Sequence, residues 1–322
     1  MARTITGLHH VTAFAKDPRA NHDFYTRVLG LRLVKKTVNF DDPFTYHLYF
    51  GDHAGSPGTL LTHFPNPMNA RGKHGSNEIQ RTTLAVGIGA LNFWRDRFAA
   101  MGIAATSVKS FGQDAIEFDD PDGMQFRLIE QARPQGMPED QEREGIPASR
   151  AIHGIAGVDI HVQDAGPTIA FLRDVLGFEI ERREGAATWL SLHRPGDGPI
   201  EAAQLGQRLV IVEDPSAHVP MGAGTVHHVA WRAKDLDVQQ LAADAIRSAR
   251  IGVTPVIDRQ YFQSIYFRIP GGVVFEIATD APGFAVDEPI ETLGQSLQLP
   301  PQHEALRPKL EKMLVPLEGA AR

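Results

Sequence analysis

The stretch GLHHVTAFAKDPRANHDFYTRVLGLRLV, residues 7–34, has a counterpart in GIAGVDIHVQDAGPTIAFLRDVLGFEIE, residues 154–181. Each copy begins with a short alternating apolar run, passes an acidic turn residue and continues with helical periodicity. Each then reads Val-Leu-Gly before a second apolar run, and glycine suits the position after a helix, where φ is positive. Both copies therefore predict a strand, a helix and a strand, and such an internal repeat governs the whole fold.

Two further segments show the same order of elements. Residues 81–104 and 225–253 each read as strand, turn, helix, glycine and strand. Closing strands follow at residues 118–130 and 268–279, where a proline and a glycine form a turn ahead of an alternating strand. The sequence therefore predicts an α+β protein of four similar units.

The units divide the chain into two predicted domains of two units each, residues 5–132 and 152–281. Residues 133–151 between them are polar and contain proline and glycine, a composition typical of a linker. Residues 282–322 form a tail with one amphipathic piece, residues 303–314, and we expect this tail to pack on the outside.

The composition excludes several functional classes. The 322 residues contain no cysteine, which excludes thiol catalysis, cysteine-ligated zinc and iron–sulfur clusters. The net charge is −7 and no block of Lys or Arg stands out, so neither nucleic acid nor a membrane surface is an expected partner. No apolar run reaches the roughly 20 residues that span a bilayer. Because residues 1–4 lead directly into sequence of folded character, a cytoplasmic location is expected.

Two adjacent histidine pairs mark a candidate metal site. His9-His10 and His227-His228 each lie early in the first strand of a unit, where neighbouring residues point to opposite faces. One histidine of each pair can therefore face a shared cavity. Glu276 is a lone carboxylate in an apolar closing strand, where burial without a partner is costly. His10, His228 and Glu276 together give the two imidazoles and one carboxylate that non-haem Fe(II) oxygenases use.

Plainer interpretations stay open at this stage. A single strand histidine is most often a hydrogen-bonded structural residue, and a strand glutamate can simply pair with an arginine. His10 could also belong to a different site from His228 and Glu276. The remaining histidines lack the paired pattern and are interpreted as surface or structural residues, with two loop exceptions, His63 and His74; the others are His22, His47, His53, His153, His161, His193, His218 and His303.

The other two units serve as an internal comparison. By sequence, Thr82-Thr83 in the second unit replaces the histidine pair of the fourth, and Arg127 replaces its glutamate. In the third unit Ala156-Gly157 replaces the histidine pair of the first. This pattern predicts one metal per chain, in a cavity shared by the first and last units.

With these motifs the chain resembles the vicinal-oxygen-chelate superfamily of glyoxalases, bleomycin-resistance proteins and extradiol dioxygenases, over nearly its whole length. Within it, the chain is most similar to ring-cleaving dioxygenases that open hydroquinones and chlorohydroquinones. The resemblance implies tandem βαβββ modules that form cupped mixed sheets. It is carried by LHHVT (8–12), YHLYFGDHAGSPGTLLTHFP (46–65), KHGSN (73–77), VHHVAW (226–231), DRQYFQSIYFRIPGGVVFEIATD (258–280) and LGQSLQLPP (293–301).

The resemblance also implies a cofactor and substrates. Fe²⁺ would be bound by the second histidine of each pair and the closing-strand glutamate, here His10, His228 and Glu276, and Mn²⁺ suits the same ligands. The substrates would be a small aromatic molecule and O₂, whose triplet ground state reacts with a closed-shell ring only through a redox-active metal.

Four polar residues match the catalytic surroundings that the resemblance implies: His9, His227, Arg259 and Tyr266. His227 or Tyr266 is expected to be the acid–base partner, because imidazole titrates near neutral pH and tyrosine can hydrogen-bond a phenol. Arg259 would stabilise a developing oxyanion, and His9 would orient a ligand or the distal ring hydroxyl. Without the resemblance, Arg259 and Tyr266 would be interpreted as ordinary pairing and packing residues.

Three other functions share part of this pattern. A catechol extradiol dioxygenase has the same triad and differs in substrate. A glyoxalase-like isomerase would use Zn²⁺ or Ni²⁺ with typically two carboxylates among four ligands, and only one carboxylate is apparent. A metal-free protein that binds an aromatic drug would retain no metal and consume no O₂. The hydrophobic pattern does not give the oligomeric state, so a homo-oligomer stays open.

Overall fold

The four predicted units are all present in the computed structural model, which describes residues 4–110, 112–134, 137, 139–193 and 205–317. Each unit contains one strand, one helix and three further strands, so the predicted α+β arrangement of βαβββ modules is confirmed. The strands are β1 (Leu8–Ala15), β2 (Arg32–Val38), β3 (Tyr46–Gly51), β4 (Leu60–Pro65), β5 (Glu78–Val86), β6 (Ala105–Ser110), β7 (Gln113–Asp119), β8 (Gln125–Glu130), β9 (Ile152–Val162), β10 (Glu179–Glu184), β11 (Ala187–Ser191), β12 (Arg208–Glu213), β13 (Val226–Ala233), β14 (Ile257–Asp258), β15 (Phe262–Arg268) and β16 (Val274–Pro282). The helices are α1 (Pro18–Asp23, continued by a π-helical turn, Phe24–Val28), α2 (Leu91–Ala100), α3 (Ala165–Asp174), α4 (Leu236–Ser248) and α5 (Arg307–Met313).

The strands form two eight-stranded mixed sheets, and each sheet takes one unit from each half of the sequence. The first sheet combines the first and fourth units in the order β14-β15-β16-β13-β1-β4-β3-β2. The second combines the third and second units in the order β10-β11-β12-β9-β5-β8-β7-β6. The leading strands of the paired units run antiparallel at the centre of each sheet. Each sheet therefore contains strands from both predicted sequence domains, and the first and last units lie side by side in the first sheet.

The acidic turn residues that precede three of the predicted helices are N-caps. Asp17 accepts hydrogen bonds from two backbone amides of α1, and Asp164 and Asp235 each accept one from α3 and α4. Such caps satisfy amides that have no partner within the helix. The glycines that follow the first and third helices, Gly30 and Gly177, have φ of 70° and 77°, as their position predicts.

The first part of the tail packs against the first sheet. Phe284 and Leu293 are buried against Val34, Tyr49 and Leu60. Of the expected linker and tail, residues 135, 136, 138 and 318–322 lie outside the described residues.

A buried ion pair fastens the same part of the tail. The Lys35 ammonium, on a side chain with no solvent exposure, lies 2.5 Å from the carboxylates of Asp287 and Glu288.

Among the described residues, no helix is long and apolar enough to span a membrane.

Candidate metal centre

The three predicted ligands meet on one face of the first sheet, which we call its inner face. His10 Nε2 lies 3.2 Å from His228 Nε2 and 3.2 Å from Glu276 Oε2, and His228 Nε2 lies 2.9 Å from the same oxygen. All three side chains are buried. Within the described part of the chain, this is the one cluster of three or more His, Asp or Glu side chains with converging ligand atoms.

Strand register explains why residues so distant in sequence converge. β1 and β13 run antiparallel, with His10 opposite Ala230 and His228 opposite Thr12. The two histidines therefore occupy equivalent positions about the centre of this strand pair. β16 lies parallel to β13 on its other side and places Glu276 beside Ala230. Because neighbouring strands are about 4.8 Å apart, the three side chains can reach one point.

The spacing of the three candidate ligand atoms fits a single metal ion. With metal–ligand bonds of about 2.1 Å, neighbouring ligand atoms are about 3.0 Å apart in an octahedron and about 3.4 Å apart in a tetrahedron. The observed separations of 2.9 to 3.2 Å are close enough for all three atoms to bind one metal ion in either geometry. Two imidazoles and one carboxylate suit Fe²⁺ or Mn²⁺.

Each ligand histidine contacts the ring of the residue before it. His9 Nδ1 lies 2.9 Å from His10 Nδ1, and His227 Nδ1 lies 2.7 Å from His228 Nδ1. A metal-binding imidazole usually donates its second N–H to a neighbouring acceptor, and here the ring of the preceding histidine stands in that place. In a metal-bound form Nδ1 would be the donor, and the Nε2 atoms of His10 and His228 would carry lone pairs that face the centre. His9 is itself buried behind His10, 5.0 Å from the Phe262 ring, and does not line the cavity described below.

The carboxylate of the candidate triad is held in a similar way. The Ser264 hydroxyl donates a hydrogen bond to Glu276 Oε1, while Oε2 is buried without a well-aligned hydrogen bond and faces the two histidines. Burial acts to raise the pKa of Glu276, but His10 and His228 outweigh it and hold the pKa well below its usual value. Glu276 is therefore anionic, and its unpaired oxygen fits a cation at the centre.

The triad forms part of the wall of a cavity of about 260 Å³. A dry cavity of about 150 Å³ is enough to hold benzene, so this one has room for one substituted ring and a small second molecule. Residues from both arms of the sheet line it, which requires the sheet to curve around it. Besides the triad the lining consists of Phe14, Asn39, Phe40, Asp41, His47, Tyr49, Phe64, His227, Arg259, Phe262 and Tyr266.

Arg259 and Tyr266, two of the residues implied by the resemblance, lie together in this cavity. Arg259 Nε donates to the Tyr266 hydroxyl at 3.2 Å, and its Nη2 lies 3.1 Å from Asp41 Oδ2. Burial and the charge of Glu276 raise the pKa of Tyr266 above its usual value, so the hydroxyl keeps its proton. Burial acts to lower the pKa of Arg259, but Tyr266 and Asp41 outweigh it and raise that pKa. The pair therefore presents a phenolic hydroxyl beside a fixed positive charge.

His227 lines the same cavity, with its ring 5.1 Å from that of Phe14. Burial, followed by the charge of His228, lowers the pKa of His227 to about 3. The sequence argument that this imidazole titrates near neutral pH therefore does not hold in the folded chain, and His227 is neutral at pH 7.

The sequence interpretation missed His47, which lines the cavity although it was grouped with the surface and structural histidines. Its Nε2 lies 3.0 Å from Thr62 Oγ1 and its Nδ1 lies 2.9 Å from the Tyr49 hydroxyl. Strand alternation was the available signal, because it places His47 and Tyr49 on one face of YHLYFG and Leu48 and Phe50 on the other.

The two histidines singled out as loop exceptions lie elsewhere. His63 is in strand β4 and packs 4.2 Å from the Tyr25 ring, with burial lowering its pKa to about 3. His74 contacts the Glu78 carboxylate at 3.2 Å and donates to the Gly123 carbonyl at 2.9 Å. Neither lines the metal cavity.

Strand register also corrects one predicted counterpart in the second sheet. In the first sheet, Ala230 lies opposite His10 and beside Glu276. Thr83 has the same place in the second sheet, because it lies opposite Gly157 and beside Arg127. Arg81, two residues before Thr83, therefore takes the place of His228, and the assignment of Thr82-Thr83 is wrong by two positions.

Ion pairs fill the corresponding point of the second sheet. Arg81 Nη1 and Arg127 Nη2 lie 3.2 and 2.9 Å from Glu117 Oε1, and both guanidinium groups also contact Asp159. Two arginines and a glycine at the ligand positions cannot bind a cation. Among the described residues, the candidate metal-binding triad of His10, His228 and Glu276 is therefore in the first sheet.

Comparison with known proteins agrees with this architecture. Residues 7–128 and 154–277 match the model of the Glyoxalase/Bleomycin resistance protein/Dioxygenase superfamily. Over 318 residues, 99% of this chain and 98% of the relative, the chain is 41% identical to a Bacillus subtilis (strain 168) protein named "Putative ring-cleaving dioxygenase MhqO". Over 95% of both chains it is 33% identical to the chlorohydroquinone/hydroquinone 1,2-dioxygenase of Sphingobium indicum.

A solved structure shows the same likeness in three dimensions. The crystal structure of a "putative dioxygenase" from Bacillus subtilis subsp. subtilis str. 168 has a TM-score of 0.92 and 40% identity, over 98% of this chain and 99% of that one. The family resemblance stated from the motifs is thus confirmed. On its sequence, its repeated βαβββ units and these comparisons, this chain belongs to the Glyoxalase/Bleomycin resistance protein/Dioxygenase superfamily.

Proposed function

We propose that this protein is an Fe²⁺-dependent dioxygenase that opens the ring of a hydroquinone-type substrate with O₂. The observation that carries the proposal is the buried triad of His10, His228 and Glu276 in the wall of a cavity sized for one aromatic ring. The names of the relatives at 41% and 33% identity support ring cleavage, and the second of them names hydroquinone and chlorohydroquinone.

The triad residues would hold the metal, and Mn²⁺ is the alternative for the same ligands. When bound, Fe²⁺ supplies the redox chemistry by which triplet O₂ reacts with a closed-shell aromatic ring. The protein contributes a carboxylate and two neutral imidazoles, each fixed by a neighbouring hydrogen bond. Such bonds orient the ligand atoms before the metal arrives.

The polar residues of the cavity would bind the substrate and handle its protons. Tyr266 keeps its proton and donates it in a hydrogen bond to a substrate oxygen, while Arg259 stabilises negative charge on that oxygen. If His228 binds the metal through Nε2, its Nδ1 donates to His227 Nδ1; the proton of His227 is then on Nε2, which can donate to the substrate. His9 would orient His10 from behind and would not touch the ring.

Aromatic side chains would hold the ring itself. Phe14, Phe64 and Phe262 line the cavity and offer it apolar ring surface. Aromatic pairs contribute about 0.5–1.5 kcal/mol beyond the area they bury, which is enough to orient a flat ring.

The test is O₂ consumption by protein loaded anaerobically with Fe²⁺ and offered hydroquinone, methylhydroquinone, chlorohydroquinone and catechol in parallel. We expect uptake with a hydroquinone and formation of a ring-opened product. Preference for catechol would instead support an extradiol catechol dioxygenase. No uptake despite bound iron would refute the proposal and favour the isomerase or the aromatic-binding protein.

Variants test the ligand assignment. His228→Ala and Glu276→Gln should lose both iron and turnover, measured by metal analysis and O₂ uptake. His161→Ala is the matched control, because His161 pairs with Asp214 and lies outside the cavity. Retention of iron and turnover by either ligand variant would show that the triad is misassigned.

A further inference from the structure

The two units of the first sheet are equivalent, and their register shows which residue corresponds to Glu276 in the first unit. Thr12 and Ala230 are equivalent positions, each opposite a ligand histidine. In the fourth unit Glu276 lies beside Ala230, and in the first unit Thr62 lies beside Thr12. Thr62 therefore occupies the position in the first unit that Glu276 occupies in the fourth. The triad has no carboxylate on the side of the first unit.

The next strand of each unit carries a tyrosine at the matching position. Tyr266 on β15 lies opposite Glu276, and Tyr49 on β3 lies opposite Thr62. Both tyrosines line the cavity. In the strand order β15-β16-β13-β1-β4-β3, they stand on opposite sides of the strands that carry the triad. The cavity thus has one tyrosine in each of its two walls.

A chain of hydrogen bonds fixes the position of the second tyrosine. The Tyr49 hydroxyl bonds to His47 Nδ1 at 2.9 Å, His47 Nε2 bonds to Thr62 Oγ1 at 3.0 Å, and Thr62 Oγ1 bonds to Thr12 Oγ1 at 2.7 Å. Both ring nitrogens of His47 are thereby engaged. A tyrosine hydroxyl can take part in more than one hydrogen bond, so Tyr49 can still bond to a molecule in the cavity.

We infer that the Tyr49 hydroxyl binds the substrate hydroxyl that lies away from Tyr266, and that His47 is a positioning residue for Tyr49. The inference rests on the proposed function and deepens it. In a 1,4-diol the two oxygens lie at opposite ends of the ring, as the two tyrosines lie at opposite walls. In a 1,2-diol the oxygens are adjacent, and Tyr49 would have no partner. The pair of tyrosines therefore selects hydroquinones over catechols.

The experiment compares Tyr49→Phe with the wild type, both loaded with Fe²⁺, using hydroquinone and phenol, which lacks the remote hydroxyl. Anaerobic titration gives both dissociation constants, and O₂ uptake gives KM and kcat for hydroquinone. Loss of a hydrogen bond of ordinary strength predicts roughly tenfold weaker binding of hydroquinone. Phenol binding should be unchanged, and KM should rise more than kcat falls. Tyr46→Phe, on the opposite face of the same strand, is the matched control.

Two more variants test the positioning role of His47. His47→Ala should weaken hydroquinone binding and spare phenol, as Tyr49→Phe does, and His47→Gln should recover part of the loss. Thr62→Val, which removes the hydrogen bonds of Thr62 to His47 and Thr12, should act in the same direction with a smaller effect.

Two results separate the inference from the proposed function. If Tyr49→Phe binds hydroquinone as the wild type does, or weakens hydroquinone and phenol equally, the inference is overturned while turnover by the wild type leaves the proposed function intact. If the iron-loaded wild type takes up no O₂ with any diol, the proposed function fails, and anaerobic binding still reports whether Tyr49 recognises the remote hydroxyl.

Discussion

Ser264→Ala should weaken metal binding without removing a ligand. The Ser264 hydroxyl donates to Oε1 of Glu276, whose side chain has no solvent exposure, so water cannot replace the lost bond. Hydrogen bonds to charged groups contribute about 1.5–3 kcal/mol, and each 1.4 kcal/mol is a factor of ten. The dissociation constant for the metal should therefore rise about 10- to 100-fold, the range typical of residues that support metal ligands.

The assay is competition for Fe²⁺ or Mn²⁺ against a chelator of known affinity, under anaerobic conditions, for the wild type and Ser264→Ala. Ser107→Ala, at an exposed position of β6, is the control and should bind as the wild type does. With saturating metal, turnover by Ser264→Ala should recover most of the wild-type rate, because all three ligands remain. An unchanged dissociation constant would refute the reasoning that this hydroxyl holds Glu276 in its binding position.

Three further predictions concern other parts of the chain. Thr62→Glu should place a second carboxylate beside the triad, in the position equivalent to that of Glu276. Metal analysis should then show retained metal, while O₂ uptake is lost because the new carboxylate occupies the side left open for substrate. Full O₂ uptake would contradict the register argument. Burial raises the pKa of Asp120 to about 6, above the value of about 3.9 in an unfolded chain. The folded state therefore binds the Asp120 proton more tightly than the unfolded state does. The resulting stabilisation is fully present below pH 4 and is lost as the pH rises through 6. Relative to Asp120→Asn, the free energy of unfolding of the wild type in urea should fall by up to about 3 kcal/mol across that window, and parallel curves would contradict this. Lys35→Met should destabilise the fold by about 3–5 kcal/mol because it leaves Glu288 buried without its cation, and adding Glu288→Gln should restore part of the loss in the same assay.

Local patterns were enough to predict the elements and the candidate ligands. Alternation, helical periodicity and turn residues depend on neighbours a few positions away, and they located four βαβββ units. The repeat then made His10, His228 and Glu276 stand out, because histidine pairs at equivalent strand positions are hard to explain otherwise. The family followed from the motifs around these residues.

Relations between distant segments needed the tertiary structure. His10 and His228 are 218 positions apart and meet only because the first and last units share a sheet, across the division into sequence halves. The register of β5 against β8 and β9 showed that Arg81, and not Thr83, is the counterpart of His228.

The sequence alone determined which side chains could bind a metal, since that depends on residue type and on repeated local pattern. Tertiary structure alone decided their surroundings: that His47 and Tyr49 face the cavity, that His227 is neutral because it is buried, and that Phe284 of the tail packs onto the sheet. The physical reason is that solvation, protonation and hydrogen bonding depend on what the fold packs around a side chain, and those neighbours come from strands far apart in the chain.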